Sequence, residues 1–125
     1  MIITIIGGGS TFTAGIVKSI ALRKDELEVD EIRLFDLDKD RQEKVAVVVR
    51  WILDEELKCG IKLTTHYDEE SAYKDADFIF AQMRVGKYAM REMDEKIPLK
   101  HGCVGQETCG AGGLAYGLRT ICPMM

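Results

Sequence analysis

The chain opens on "MIITII", an apolar run rich in β-branched side chains and closed by glycines. Continuous rather than alternating hydrophobicity is the pattern of a strand covered on both faces, as in a parallel sheet. "GGGSTFTAG" interrupts the run, and Ile16, Val17, Ile20 and Ala21 then recur at helical spacing. Strand, glycine turn and helix make the first βα unit of a doubly wound fold. "EIRLFDLD" predicts a second strand through Ile32, Leu34 and Phe35 that ends on Asp36. From Asp40 to about Leu57 the pattern turns helical, with Val45, Val48, Val49 and Ile52 as its apolar stripe. Arg50 is placed to pair with Asp54 one turn on. "IKLTTH" predicts a third strand, "DEESAYKDA" a short helix or turn, and "DFIFAQM" a fourth strand. In "KYAMREMDEKIPLK", Met90, Met93 and Ile97 share one helical face before Pro98 halts the helix. No repeat or linker breaks the pattern. Residues 1–125 are therefore expected to form one domain, a Rossmann-like, doubly wound α/β fold with a mainly parallel sheet.

Composition narrows the function classes. A net charge of −4 lacks the basic face that a nucleic-acid binder needs. No apolar run approaches the roughly 20 residues that cross a bilayer, and the amino end lacks the marks of a signal peptide. The expectation is a cytoplasmic protein without nucleic-acid or membrane partners. Among the four cysteines no C-x-x-C pair occurs, and His66 and His101 are not at zinc-binding spacing. Cys59 and Cys103 are expected to serve as packing thiols.

The first glycine turn carries the clearest candidate chemistry. A parallel strand that turns directly into a helix leaves a place where a pyrophosphate can approach backbone without meeting side chains. Gly7, Gly8 and Gly9 suit that approach, and Ser10, Thr11 and Thr13 offer hydroxyl and amide groups to phosphate oxygens. The match to G-x-G-x-x-G is imperfect, because Phe12 stands where the third glycine belongs and Gly15 follows three positions later. Asp36, closing the second strand, is placed to accept hydrogen bonds from adenosine ribose hydroxyls and to repel the extra phosphate of NADP. A helix cap or turn is its structural alternative, a role that Asp38 or Asp40 can fill instead. NAD is the favoured ligand.

Three longer stretches, "GGGSTFTAGIV", "RVGKYAMREMDEKIPLKHG" and "GQETCGAGGLAYGLRT", resemble the N-terminal part of family 4 glycoside hydrolases. The similarity runs from Ile3 to about Ile121, and "KYAMR" and "TCG" are closest to the 6-phospho-α-glucosidase branch, which acts on maltose 6′-phosphate and related phosphorylated disaccharides. The resemblance implies a glycosidase outside the two-carboxylate scheme. In the family, NAD⁺ oxidises the sugar C3 hydroxyl and a divalent metal, usually manganese, polarises the carbonyl. A tyrosine then takes the C2 proton, and the glycosidic oxygen leaves. Carried onto this sequence, the resemblance assigns Gly7 to Phe12 to the dinucleotide loop and Asp36 to the ribose. It sets Arg84 near cofactor and substrate, and Arg91 on the substrate. It makes Glu107 the carboxylate that raises the basicity of the tyrosine base, and gives Cys109 no metal-ligand role. It also implies a homo-oligomer.

Tyr73, Tyr88 and Tyr116 do not match the motif of the base, and the family's ligand cysteine and histidine fall in later segments. The chain is thus expected to be a cofactor-binding portion, inactive alone. A 6-phospho-β-glucosidase of the same family, a bare NAD-binding module and a non-functional truncated product stay open as alternatives.

Overall fold

The computed structural model describes residues 1–124. They form two compact units that divide after Met83.

The first unit is a Rossmann-like α/β layer. Four parallel strands, β1 (Ile2–Ile6), β2 (Glu31–Phe35), β3 (Lys62–His66) and β4 (Phe78–Ala81), lie in the order β3-β2-β1-β4. β1 is central, pairing Ile5 with Leu34 on one side and Phe80 on the other. α1 (Thr13–Ala21), α2 (Lys24–Leu27), α3 (Lys39–Trp51) and α4 (Glu69–Tyr73) occupy the crossovers. Ile5, Ile32, Leu34, Val17, Val49 and Leu53 are fully enclosed between sheet and helices. Such side chains contribute about 1.5–3 kcal/mol each by leaving water. A smaller cluster of Ile6, Phe35 and Ala72 covers the other side of the sheet, where Tyr73 meets Phe35 edge to face at 5.7 Å.

The buried stripe of α3 keeps Val49, Ile52 and the partly buried Val45 of the predicted one but not Val48. Gln42, Ala46, Val49 and Leu53 face the core, Ile52 is buried beside them, and Val48 is 50% exposed. A polar residue at a core position hid the true phase, since Gln42 is wholly buried and donates from Nε2 to the His66 carbonyl. From Ile52 to Glu56 the helix widens into a π-helical turn. The wider turn moves Asp54 off the expected one-turn spacing, and Arg50 lies instead 3.9 Å from Glu43. Along β4, Phe78, Ile79 and Phe80 are all exposed, and no strand covers its outer edge among the described residues.

The second unit, from Arg84 onward, pairs α5 (Lys87–Lys100) with α6 (Gly110–Met124). Pro98 does not end α5, which continues to Lys100 with the proline buried inside it. Met90, Met93 and Ile97 remain roughly half exposed. Cys103 is exposed rather than packed, whereas Cys59 is buried with its thiol 3.7 Å from the Leu53 carbonyl. No described helix is long and apolar enough to cross a membrane.

Substituting Ile5→Ala should lower the unfolding free energy by about 3 kcal/mol in urea titrations, and Val48→Ala should move it by less than about 0.5 kcal/mol. Equal losses would contradict the assignment of the buried face of α3.

Candidate functional site

The turn after β1 is built against the end of β2. The Gly7 and Gly8 amides both donate to the Phe35 carbonyl, at 2.9 and 3.0 Å, and Ser10 N–H closes back on the Gly7 carbonyl at 2.9 Å. Gly7 takes φ +80°, a left-handed geometry that a side chain would strain. A Cβ on Gly8 would stand 2.8 Å from Leu34, so the turn lies directly on the sheet.

Asp36 ties the two strand ends together. Its Oδ2 accepts from the Gly9 amide at 2.9 Å and its Oδ1 from Asp38 N–H at 2.9 Å. Each carboxylate oxygen keeps further acceptor capacity toward a hydroxyl. Asp38, not Asp36, caps α3 by accepting from Arg41 N–H at 3.1 Å.

The glycine amides are therefore committed to the turn itself. What the turn presents at its outer end is Thr11, the 75% exposed Phe12, and the amino end of α1, which has no side-chain cap among the described residues. Aligned peptides give that end roughly half a positive charge. Ser10 Oγ accepts from Phe12 N–H at 3.3 Å. Thr13, expected to offer its hydroxyl to phosphate, is fully buried and accepts from Gln82 Nε2 at 2.6 Å.

The second unit gathers its own charged cluster. Arg84 and Arg91 converge on Glu107: Arg84 Nη1 contacts Oε1, and Arg91 Nε lies 3.1 Å from Oε2. Arg91 also donates to Glu95 one turn along α5 at 2.8 Å, and the two carboxylates hold its already high pKa higher still, the Glu95 bond more than the Glu107 charge. Arg84 stacks over the Tyr88 ring at 5.5 Å. The structure thus brings together three of the sequence-predicted residues.

Sequence reasoning missed the support beneath them. Asp94, 6% exposed, is gripped by both Arg119 Nη atoms, the shortest contact 2.6 Å. Pro98 lacks the N–H that would bond the Asp94 carbonyl, and α6 packs over that carbonyl through Gly112. A Cβ on Gly112 would stand 2.5 Å from Asp94 O and 2.2 Å from Gln106 O. The only hint in the sequence was glycine beside glycine in "GAGG". Among the described residues no group of three or more His, Cys, Asp or Glu side chains is placed to hold a metal ion. Cys109 is exposed.

The profile of the family described as "Family 4 glycosyl hydrolase" matches residues 2–125. A maltose-6′-phosphate glucosidase of Fusobacterium mortiferum is 50% identical over 119 residues, covering 95% of this chain and 27% of that protein. A 6-phospho-α-glucosidase from gut microorganisms, solved with NAD and glucose 6-phosphate, superimposes with TM-score 0.88 at 49% identity over 99% of this chain and 28% of its own. The 6-phospho-β-glucosidase of Thermotoga maritima, solved with manganese, NAD⁺ and glucose 6-phosphate, gives TM-score 0.90 at 35% identity over 99% of this chain and 30% of its own. The chain therefore spans little more than a quarter of the length of these relatives.

Replacing Arg119 with Met leaves a buried carboxylate without its cation, and the second unit should lose about 3 kcal/mol of stability. Hydrogen exchange across α5 and α6 reads that loss; unchanged protection would contradict the role given to the pair.

Proposed function

Because the chain belongs to family 4 of the glycosyl hydrolases, we propose that residues 1–125 are the N-terminal, dinucleotide-binding domain of an NAD- and divalent-metal-dependent 6-phospho-α-glucosidase. The substrates would be phosphorylated disaccharides such as maltose 6′-phosphate. The α branch is supported by a narrow margin of identity, 50% to the Fusobacterium enzyme against 45% to a probable 6-phospho-β-glucosidase of Bacillus subtilis. The observation that carries the reading is the Asp36 carboxylate bonded to the Gly9 amide beside the uncapped start of α1. That pairing sets a ribose acceptor and a phosphate-attracting helix end on the same turn.

The residues fit a dinucleotide. Gly8 and Gly9 are packed so tightly that side chains would collide with Leu34 and Asp36, which leaves bare backbone where a diphosphate must come close. In this reading Thr11, Phe12 and the first amides of α1 receive the diphosphate, with Ser10 beside them and Gly7 shaping the turn. Asp36 takes the ribose hydroxyls and its charge disfavours NADP. Bound NAD⁺ supplies a reversible hydride acceptor. Arg91 offers a guanidinium fork to substrate oxygens, Arg84 stands beside it, and Glu107 fixes both arginines while lending its charge to a tyrosine base. The described residues do not fit a metal site, so the manganese of the Thermotoga relative would be held by residues other than these.

Isothermal calorimetry with NAD⁺ tests the reading. Saturable binding is expected, weaker by about tenfold, or 1.4 kcal/mol, in an Asp36→Ala variant, with discrimination against NADP⁺ reduced. No heat with the unsubstituted chain would sink it.

A further inference from the structure

We propose that Gln82 is a positioning residue of the dinucleotide turn, an inference that rests on the NAD reading above. Gln82 is the first residue past β4, and its amide extends the sheet by donating to the Ile6 carbonyl at 3.1 Å. Its side chain then spans the turn. Nε2 donates to the Gly7 carbonyl at 3.2 Å and to Thr13 Oγ1 at 2.6 Å. Those two acceptors are the first residue of the turn and the first residue of α1. One carboxamide nitrogen therefore fixes the separation of strand end and helix start.

The backbone supports the same clamp. A Cβ on Gly7 would stand 3.1 Å from Met83 N and 3.2 Å from the Gln82 carbonyl carbon, so the turn rests against this segment without a gap. Thr13 is fully buried, which keeps its bond to Gln82 away from competing water. On the opposite side, Gln42 presses its Oε1 toward Gly8, 2.8 Å from where a Cβ would lie.

The chemistry suits glutamine. Two acceptors need a group with two N–H bonds, which a carboxamide has and a carboxylate lacks. Asparagine is one methylene shorter. Among the described residues Gln82 Oε1 is buried with no hydrogen-bond partner, so the donors of the carboxamide, not its acceptor, make the clamp. The clamp gives a turn already shaped before the ligand arrives. Ligand binding is strengthened when ordering is done beforehand.

The test compares Gln82→Leu and Thr13→Val, singly and together, by NAD⁺ calorimetry, thermal unfolding and hydrogen exchange in the ligand-free chain. Each single variant should weaken NAD⁺ binding, Gln82→Leu about tenfold. The double variant should be no weaker than Gln82→Leu, because both remove one clamp. Exchange at the amides of Gly8, Gly9 and Ser10 should rise in Gln82→Leu without a matching rise in the core strands. A Gln82→Leu variant that binds NAD⁺ within twofold of the unsubstituted chain, or whose turn amides exchange unchanged, overturns the proposal. Should Gln82→Leu fail to fold, Thr13→Val applies the same criterion alone. Absence of NAD⁺ binding by the unsubstituted chain overturns the dinucleotide reading instead, and exchange at the turn then decides whether Gln82 clamps it.

Discussion

The carboxyl end of β1 imposes the constraint on which the first unit turns. A central parallel strand must pass at once into a helix on one face of the sheet, and every amide in the reversal needs a partner. The chain meets that demand by borrowing from β2. Phe35 accepts from Gly7 and Gly8, and the Asp36 carboxylate accepts from Gly9. The turn is therefore a joint product of two strands far apart in sequence. Its geometry exposes the amino end of α1 and places a carboxylate on the same turn, so the folding requirement and the proposed binding surface are the same arrangement.

The second unit solves a different problem, the close approach of two helices that carry charge inward. Bare glycine backbone at position 112 lets α6 lie on the Asp94 carbonyl that Pro98 leaves without an amide. The Asp94–Arg119 pair then neutralises the one buried carboxylate of α5. On that support Glu107 holds two guanidinium groups, Arg84 and Arg91, whose mutual repulsion its charge offsets. In the "GQETCGAGG" stretch Gly105, Gly112 and Gly113 bring backbone against backbone, Gly110 takes a left-handed φ of +64°, and the one carboxylate is the hub of the cluster.

What the sequence made legible was what local pattern encodes. The four strands, the first glycine turn and the acid closing β2 follow from runs, periodicity and punctuation. The errors arose where tertiary contacts override pattern. A buried glutamine made α3 read as though Val48 faced inward, although Val45 does pack on the core, and a π-helical turn broke the spacing from Arg50 to Asp54. Pro98 reads as a stop from its chemistry, yet packing carries α5 two residues past it. Thr13 looked like a phosphate ligand until Gln82, 69 positions away, claimed its hydroxyl. Arg119 and Asp94 carry no local signal at all, because their significance exists only once α6 lies on α5. The site residues named by resemblance were of a third kind: Arg91 and Glu107 were picked out by motif, and their convergence came from the fold.

Family membership and fold place this chain with enzymes that hold NAD, and the central claim is that its own β1–α1 turn is where a dinucleotide would rest. Amide chemical shifts recorded during an NAD⁺ titration test this most directly. The account predicts the largest changes at Thr11, Phe12 and the first turn of α1, with a second group at Asp36. Changes centred elsewhere, such as along the exposed β4 edge, with the β1–α1 turn unmoved, would contradict it.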